Sequence, residues 1–189
     1  MLSFPHPRSL SRRERANKPL SLRDKGWDEG RAALLESAAI MKFRRVVTGT
    51  NKEGKACIKY DSVIEPIPMR TGFGNLPMWA TKKLPAEMTE EDPNTWELGT
   101  SLAGGSVFRL AKYDPGVAKR WHVTDSVDYA ICLAGELWMQ LDGGEEVHLT
   151  PGTVIIQRAT NHNWENRGTE PCIMAYVLLA TEGAKTTGW

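Results

Sequence analysis

The chain has 189 residues, 41% hydrophobic and 25% charged, with a net charge of +1. Those proportions describe an ordinary globular domain with enough apolar mass for one core. The near-zero charge, with a pI near 7.7, excludes a strong field for nucleic acid or an anionic membrane.

No apolar run is long enough to span a bilayer. Three scattered cysteines, Cys57, Cys132 and Cys172, form no CxxC pair. An odd, widely spaced set speaks against a disulfide framework and for a reducing compartment, most simply the cytoplasm. Residues 1–40 read as an N-terminal extension. Pro5, Pro7 and Pro19 interrupt a Ser- and Arg-rich leader, and a short helix is expected over 28–40. Glu14 and Asp24 count against a mitochondrial address, and no apolar stretch follows the arginines to make a secretory one. Met41 opens a natural first strand, so the functional domain is expected to span 41–180. Residues 1–40 are then an extension or a mis-assigned start.

From residue 43 the texture is β. Strands are expected over 43–48, 56–60, 62–65 and 76–81, with a turn at Asn51–Gly54 and breaks at Pro66 and Pro68. Residues 82–96 are polar and proline-broken, and read as a surface loop. A denser block follows, with strands over 106–113, 128–134, 136–141, 145–149, 154–157, 162–165 and 172–180. Asp114-Pro115-Gly116, Gly135, Asp142-Gly143-Gly144 and Pro151-Gly152 punctuate it. Short strands separated by Gly and Pro turns predict an all-β barrel or sandwich. Residues 181–189 read as a loose tail.

Two of the four histidines fall in ordered clusters within this block. His122, Thr124, Asp128, Ala130 and Cys132 share parity, so an extended segment points them the same way. A second cluster runs from Gln157 to His162 and on to Asn166. Two imidazoles and a carboxylate meeting in space would bind one face of a divalent metal and leave positions open. That requires His122, Asp128 and His162 to converge.

These residues resemble the cupins. The first cupin motif is G-x5-H-x-H-x(3,4)-E-x6-G, and Gly116, His122, Thr124, Asp128 and Gly135 follow its spacing, with threonine for the second histidine and aspartate for glutamate. In the second motif, G-x5-P-x-G-x2-H-x3-N, the interval after Gly152 is one residue short. Gln157 replaces proline and Ala159 replaces glycine, while His162 and Asn166 match. The pair His122-Val-Thr124-Asp125-Ser-Val-Asp128-Tyr129 and Gln157-Arg158-Ala159-Thr160-Asn161-His162-Asn163-Trp164 is similar to a branch of small single-domain cupins. That branch occurs in bacteria and in fungal metabolite clusters, where some members are described as oxidoreductases.

The resemblance implies a cupin jelly-roll barrel holding a divalent metal on His122, Asp128 and His162. Fe, Mn, Ni and Zn all suit such a set. It implies an oxidoreductase acting on a small aromatic or polyketide-like metabolite inside an apolar barrel. A metal-dependent dehydratase, decarboxylase or isomerase stays open, as does a non-catalytic small-molecule-binding barrel. Thr124 is a weak ligand beside imidazole and suits a role bonding to Asp128 or to a metal-bound water. Gln157 either orients substrate or satisfies backbone at a strand end. Arg109 is expected to face solvent, although facing inward it would grip a carboxylate. Cys132 is expected to be buried and inert, and His148 exposed. Trp138, opposite the expected core, asks for cover from the N-terminal arm or from a second barrel in a homodimer.

Overall fold

The computed structural model describes residues 42–188. The leader and the helix expected over 28–40 lie outside the described residues. Eleven strands run through the described part, with one 3₁₀ turn at Pro93–Thr95 and no α-helix. They are β1 Phe43–Thr50, β2 Ala56–Ile64, β3 Ile67–Arg70, β4 Phe73–Thr81, β5 Ser106–Tyr113, β6 Ser126–Ala134, β7 Leu137–Leu141, β8 Glu146–Leu149, β9 Val154–Arg158, β10 His162–Glu165 and β11 Cys172–Ala180. Among the described residues no helix is long and apolar enough to cross a membrane.

The strands form a six-stranded sheet in the order β3-β4-β5-β11-β6-β9 and a three-stranded sheet in the order β10-β7-β8. A separate hairpin joins β1 and β2. All pairings are antiparallel. Alternation decides which side chains enter the barrel. In β6, Ser126, Asp128, Ala130 and Cys132 are buried while Tyr129 and Ile131 are exposed, as the shared parity predicts. In β11, Cys172, Met174, Tyr176 and Leu178 turn inward to meet Leu137, Met139, Leu149 and Trp164 from the smaller sheet. Removing Leu137 and Leu149 from water stabilises the fold by roughly 2 kcal/mol each; both are fully buried.

A second, smaller core lies on the outer face of the large sheet. Leu76, Met78 and Leu110 are buried there with Phe43 and Ile64 of the hairpin packed against them. The hairpin's anchor is polar. Arg45 is 7% exposed and donates to both Asp92 carboxylate oxygens, at 2.8 and 2.5 Å. Its guanidinium also reaches Ser62 Oγ and the Met78 carbonyl. Asp92 in turn caps the 3₁₀ turn by accepting from the Asn94 N–H at 3.0 Å. The loop expected over 82–96 is thus pinned at its far end.

The prolines explain where strand prediction and structure differ. Residues 56–64 form one strand because nothing in Asp61-Ser62 breaks it. Pro68 sits in edge strand β3, where a missing N–H costs no ladder bond. Pro77 lies inside β4, and the β4–β5 register shifts between Pro77 and Trp79 to accommodate it. Gly135 has φ 69°, and a Cβ there would stand 2.4 Å from the Pro171 carbonyl oxygen. Only glycine fits that β6–β7 turn.

The last described segment lies against the barrel. Thr187 and Val123 exchange two backbone hydrogen bonds, where sequence reading expects a loose tail. Trp138 finds its cover within the chain: His148 stacks on it at 4.1 Å and 11°, and Arg167 lies over it at 5.3 Å. Tyr129, Ile131, Val154 and Ile156 on neighbouring β6 and β9 form one exposed apolar group on the barrel wall.

Candidate functional site

The two clusters meet at one end of the barrel. His122 and His162 pair as an isolated antiparallel bridge, each backbone N–H donating to the other's carbonyl at 3.0 Å. Their rings lie 4.3 Å apart at 48°. Together with Asp128, Thr124 and Arg109 they line a single cavity of about 40 Å³, completed by Arg70, Arg120, Phe73, Tyr113, Trp164, Tyr176 and Thr100. Five of the six residues singled out from sequence therefore face the cavity. Gln157 stands immediately behind His162.

The histidines are held by one repeated device. His122 Nδ1 lies 2.9 Å from the Arg120 carbonyl, and His162 Nδ1 lies 2.9 Å from the Thr160 carbonyl. A carbonyl only accepts, so each fixes an Nδ1–H and leaves Nε2 with a lone pair. At His162 a competitor is present. Gln157 Nε2 lies 3.0 Å from the Thr160 carbonyl and 2.6 Å from His162 Nδ1, and Gln157 Oε1 has no partner. If Gln157 donates to Nδ1, the proton moves to Nε2. Gln157 and the Thr160 carbonyl therefore compete for His162 Nδ1, a placement that neither role expected from sequence describes.

Burial keeps both imidazoles neutral. It lowers the His122 pKa and, reinforced by His122, lowers that of His162 to about 4. Burial raises Asp128 to about 6, against the Ser126 hydroxyl, which donates to it at 2.5 Å, and the field of Arg109. The Thr124 hydroxyl also favours the Asp128 carboxylate, but its geometry falls short of a hydrogen bond, and Thr124 Oγ1 has no partner.

Two neutral imidazoles anchored through Nδ1 fit a divalent metal. Among the described residues, however, no three His, Cys, Asp or Glu side chains are gathered closely enough to hold an ion. Asp128 shares the cavity wall but is engaged with Ser126. The donor set present is a histidine pair with a carboxylate beside it.

Arg109 departs from expectation. It is 9% exposed and on the inner face of β5, because Tyr113 and Ala111 share its parity and enter the same core. Tyr113 and Tyr176 meet at 3.0 Å through their hydroxyls, and burial raises Tyr113 to about 12, so both stay neutral. The cavity is charged where an apolar interior is expected. Sequence reading did not single out Arg70, Arg120, Tyr113 or Tyr176. Parity carried the signal for Arg120, two residues before His122, and for Tyr113. Nothing local pointed to Arg70, which arrives from the edge strand.

The rest of the second cluster is structural. Asn166 is 2% exposed and donates to the Tyr113 and Glu170 carbonyls while accepting from Gly168. Cys132 and Cys172 are buried and free, with sulfurs 3.9 Å apart. His148 is exposed and bonds Glu136 at 2.9 Å. Ala159, which occupies the motif's glycine position, has φ 50°. A left-handed alanine costs about 1–2 kcal/mol, offset in part by glycine's greater unfolded-chain entropy. Ala159→Gly is expected to stabilise the protein by about 0.5–1 kcal/mol, read as a raised melting temperature. A lowered one would mean that the turn is not strained.

Residues 109–179 match the cupin domain family. The chain is 32% identical to the cupin-domain-containing oxidoreductase fogC of Aspergillus ruber over 152 residues, covering 75% of this chain and 74% of that protein. It is 30% identical to the cupin-domain-containing oxidoreductase virC of Hypocrea virens over 163 residues, covering 79% and 82%. Phomopsin biosynthesis cluster protein C' of Diaporthe leptostromiformis is 42% identical over 91 residues, 48% of each chain. Among solved structures, the polyketide cyclase RemF from Streptomyces resistomycificus is similar with a TM-score of 0.48 and 14% identity, over 66% of this chain and 79% of that one. The chain belongs to the cupin family.

Proposed function

We propose that the protein is a cupin-type oxidoreductase acting on a small organic metabolite, with a divalent metal held by His122, His162 and Asp128. The observation that carries this reading is the histidine pair: two neutral, adjacent imidazoles, each tied through Nδ1 to the carbonyl two residues before it. The names of the 32% and 30% identical relatives support the reaction class. Bound there, the metal would supply a Lewis-acid or redox centre. Gln157 packs against His162 Nδ1 beside the Thr160 carbonyl, and Ser126 donates to Asp128.

Elemental analysis of protein purified without added metal tests the site, and oxygen uptake with candidate metabolites tests the reaction. Near-stoichiometric transition metal is expected; less than about a tenth of an equivalent would sink the metal-dependent reading. One observation favours a second reading, a non-catalytic binding barrel: Asp128 is bonded to Ser126 rather than gathered with the histidines. Metal-free protein that binds small molecules without turning them over would select it.

A further inference from the structure

Resting on the site proposed above, we propose that the substrate presents a carboxylate to this cavity and that Arg109 receives it. Arg109 is a buried cation without a hydrogen-bonded partner, although it feels the charge of Asp128 across the cavity. Among the described residues no hydrogen bond or ion pair serves it, and its Nε is fully enclosed without an acceptor. Its guanidinium lies over the Tyr176 ring, 5.8 Å from the ring centre. A guanidinium N–H enclosed without an acceptor is costly, and such a group persists where a ligand completes its fork.

Arg70 repeats the pattern from the other side. Its Nη1 is fixed on the Ala118 carbonyl at 2.6 Å and its guanidinium lies over Phe73 at 5.0 Å, while its enclosed Nε has no acceptor. Arg120 also lines the cavity, and it lowers the pKa of Arg70 after burial, the larger cause. Three guanidiniums therefore face one carboxylate, Asp128. The missing partner is an anion that only accepts hydrogen bonds.

Size and shape choose the anion. The cavity of about 40 Å³ has room for roughly three waters, which suits a planar carboxylate better than a tetrahedral phosphate. A carboxylate also matches the two parallel N–H groups of an arginine fork. The rings of Phe73, Tyr113 and Trp164, tilted against one another at 58° and 47°, form the apolar side of the same cavity.

The test uses full-length, chelator-treated protein, so that it does not depend on a metal. Sodium acetate is expected to raise the melting temperature in a concentration-dependent way. Acetamide and sodium chloride at equal ionic strength are expected to leave it unchanged. Arg109→Met should weaken the acetate response by about tenfold or more and, without acetate, melt at or above the wild-type temperature, because it removes an unpaired buried cation. Arg109→Lys, which keeps the charge without the fork, should retain a reduced response. A wild-type acetate response in Arg109→Met, no acetate response in the wild type, or an equal response to acetamide overturns the inference. Phosphate acting more strongly than acetate overturns the carboxylate assignment. Protein that holds no metal yet shows the Arg109-dependent response leaves this inference standing and removes the metal-dependent reading above.

Discussion

With His162 changed to alanine, the protein is expected to lose divalent-metal affinity by at least about 100-fold while keeping its fold. Losing a group that merely orients a ligand typically costs 10- to 100-fold, and removing a ligand costs no less. His162 is 2% exposed, edge-on to Trp164 at 5.2 Å and next to His122, so its loss leaves a cavity. His162→Gln fills more of that space and separates packing from coordination. Two controls frame the result. His148→Ala removes an exposed histidine bonded to Glu136 and should leave metal content unchanged. Gln157→Leu removes the competitor for His162 Nδ1 and should change affinity without abolishing it. Metal retained at wild-type stoichiometry in His162→Ala would show that the histidine pair is not the binding site.

The second large effect concerns stability. Asp92→Asn is expected to cost about 2–3 kcal/mol, because it leaves the charge of Arg45 without its carboxylate in a nearly buried setting. The figure sits below the full range for buried pairs because the Asp92 side chain is 20% exposed and partly screened. Asp92→Ala should cost about 1 kcal/mol more, since the alanine also gives up the cap on Asn94. Chemical denaturation of the two variants measures both steps.

Acid titration gives an independent check. The Arg45 hydrogen bond, ahead of all other causes, lowers the Asp92 pKa. A carboxylate depressed in the folded state contributes stability that is present above its unfolded value, about 3.9. That stability is lost as pH falls through the folded value. Wild type should therefore lose a component of stability below about pH 4 that Asp92→Asn has already lost. Parallel pH profiles for the two proteins would show that the pair contributes little.

The legible part of this protein was its local pattern. Gly, Pro and Asp-Gly turns mark most strand boundaries from residue 106 onward, because strand ends are decided by residues within a few positions of them. Parity puts Asp128 and Cys132 on the buried face of β6, and buried Thr124 just ahead of that strand. The spacing of Gly116, His122, Asp128 and Gly135 pointed to the cupin barrel. The Gly135 requirement is itself local, a left-handed turn pressed against the Pro171 backbone.

Three things needed the tertiary structure. An isolated arginine in a strand is usually solvated; the closed sheet instead buries the face of β5 that Arg109 shares with Ala111 and Tyr113 and sets it opposite Tyr176. Arg70 enters the cavity from an edge strand some fifty residues upstream of His122, a distance no periodic pattern spans. The relation of Asp128 to the histidines depends on where Ser126 and Arg109 stand around it. Sequence alone determined most of the strands, though not β3 or the continuity of β2, together with the family and the candidate ligands, since those follow from neighbours along the chain. Only the folded barrel decided that the cavity is small and strongly cationic, because that charge is assembled from β3, β5 and the segment before His122, which meet only when the sheets close.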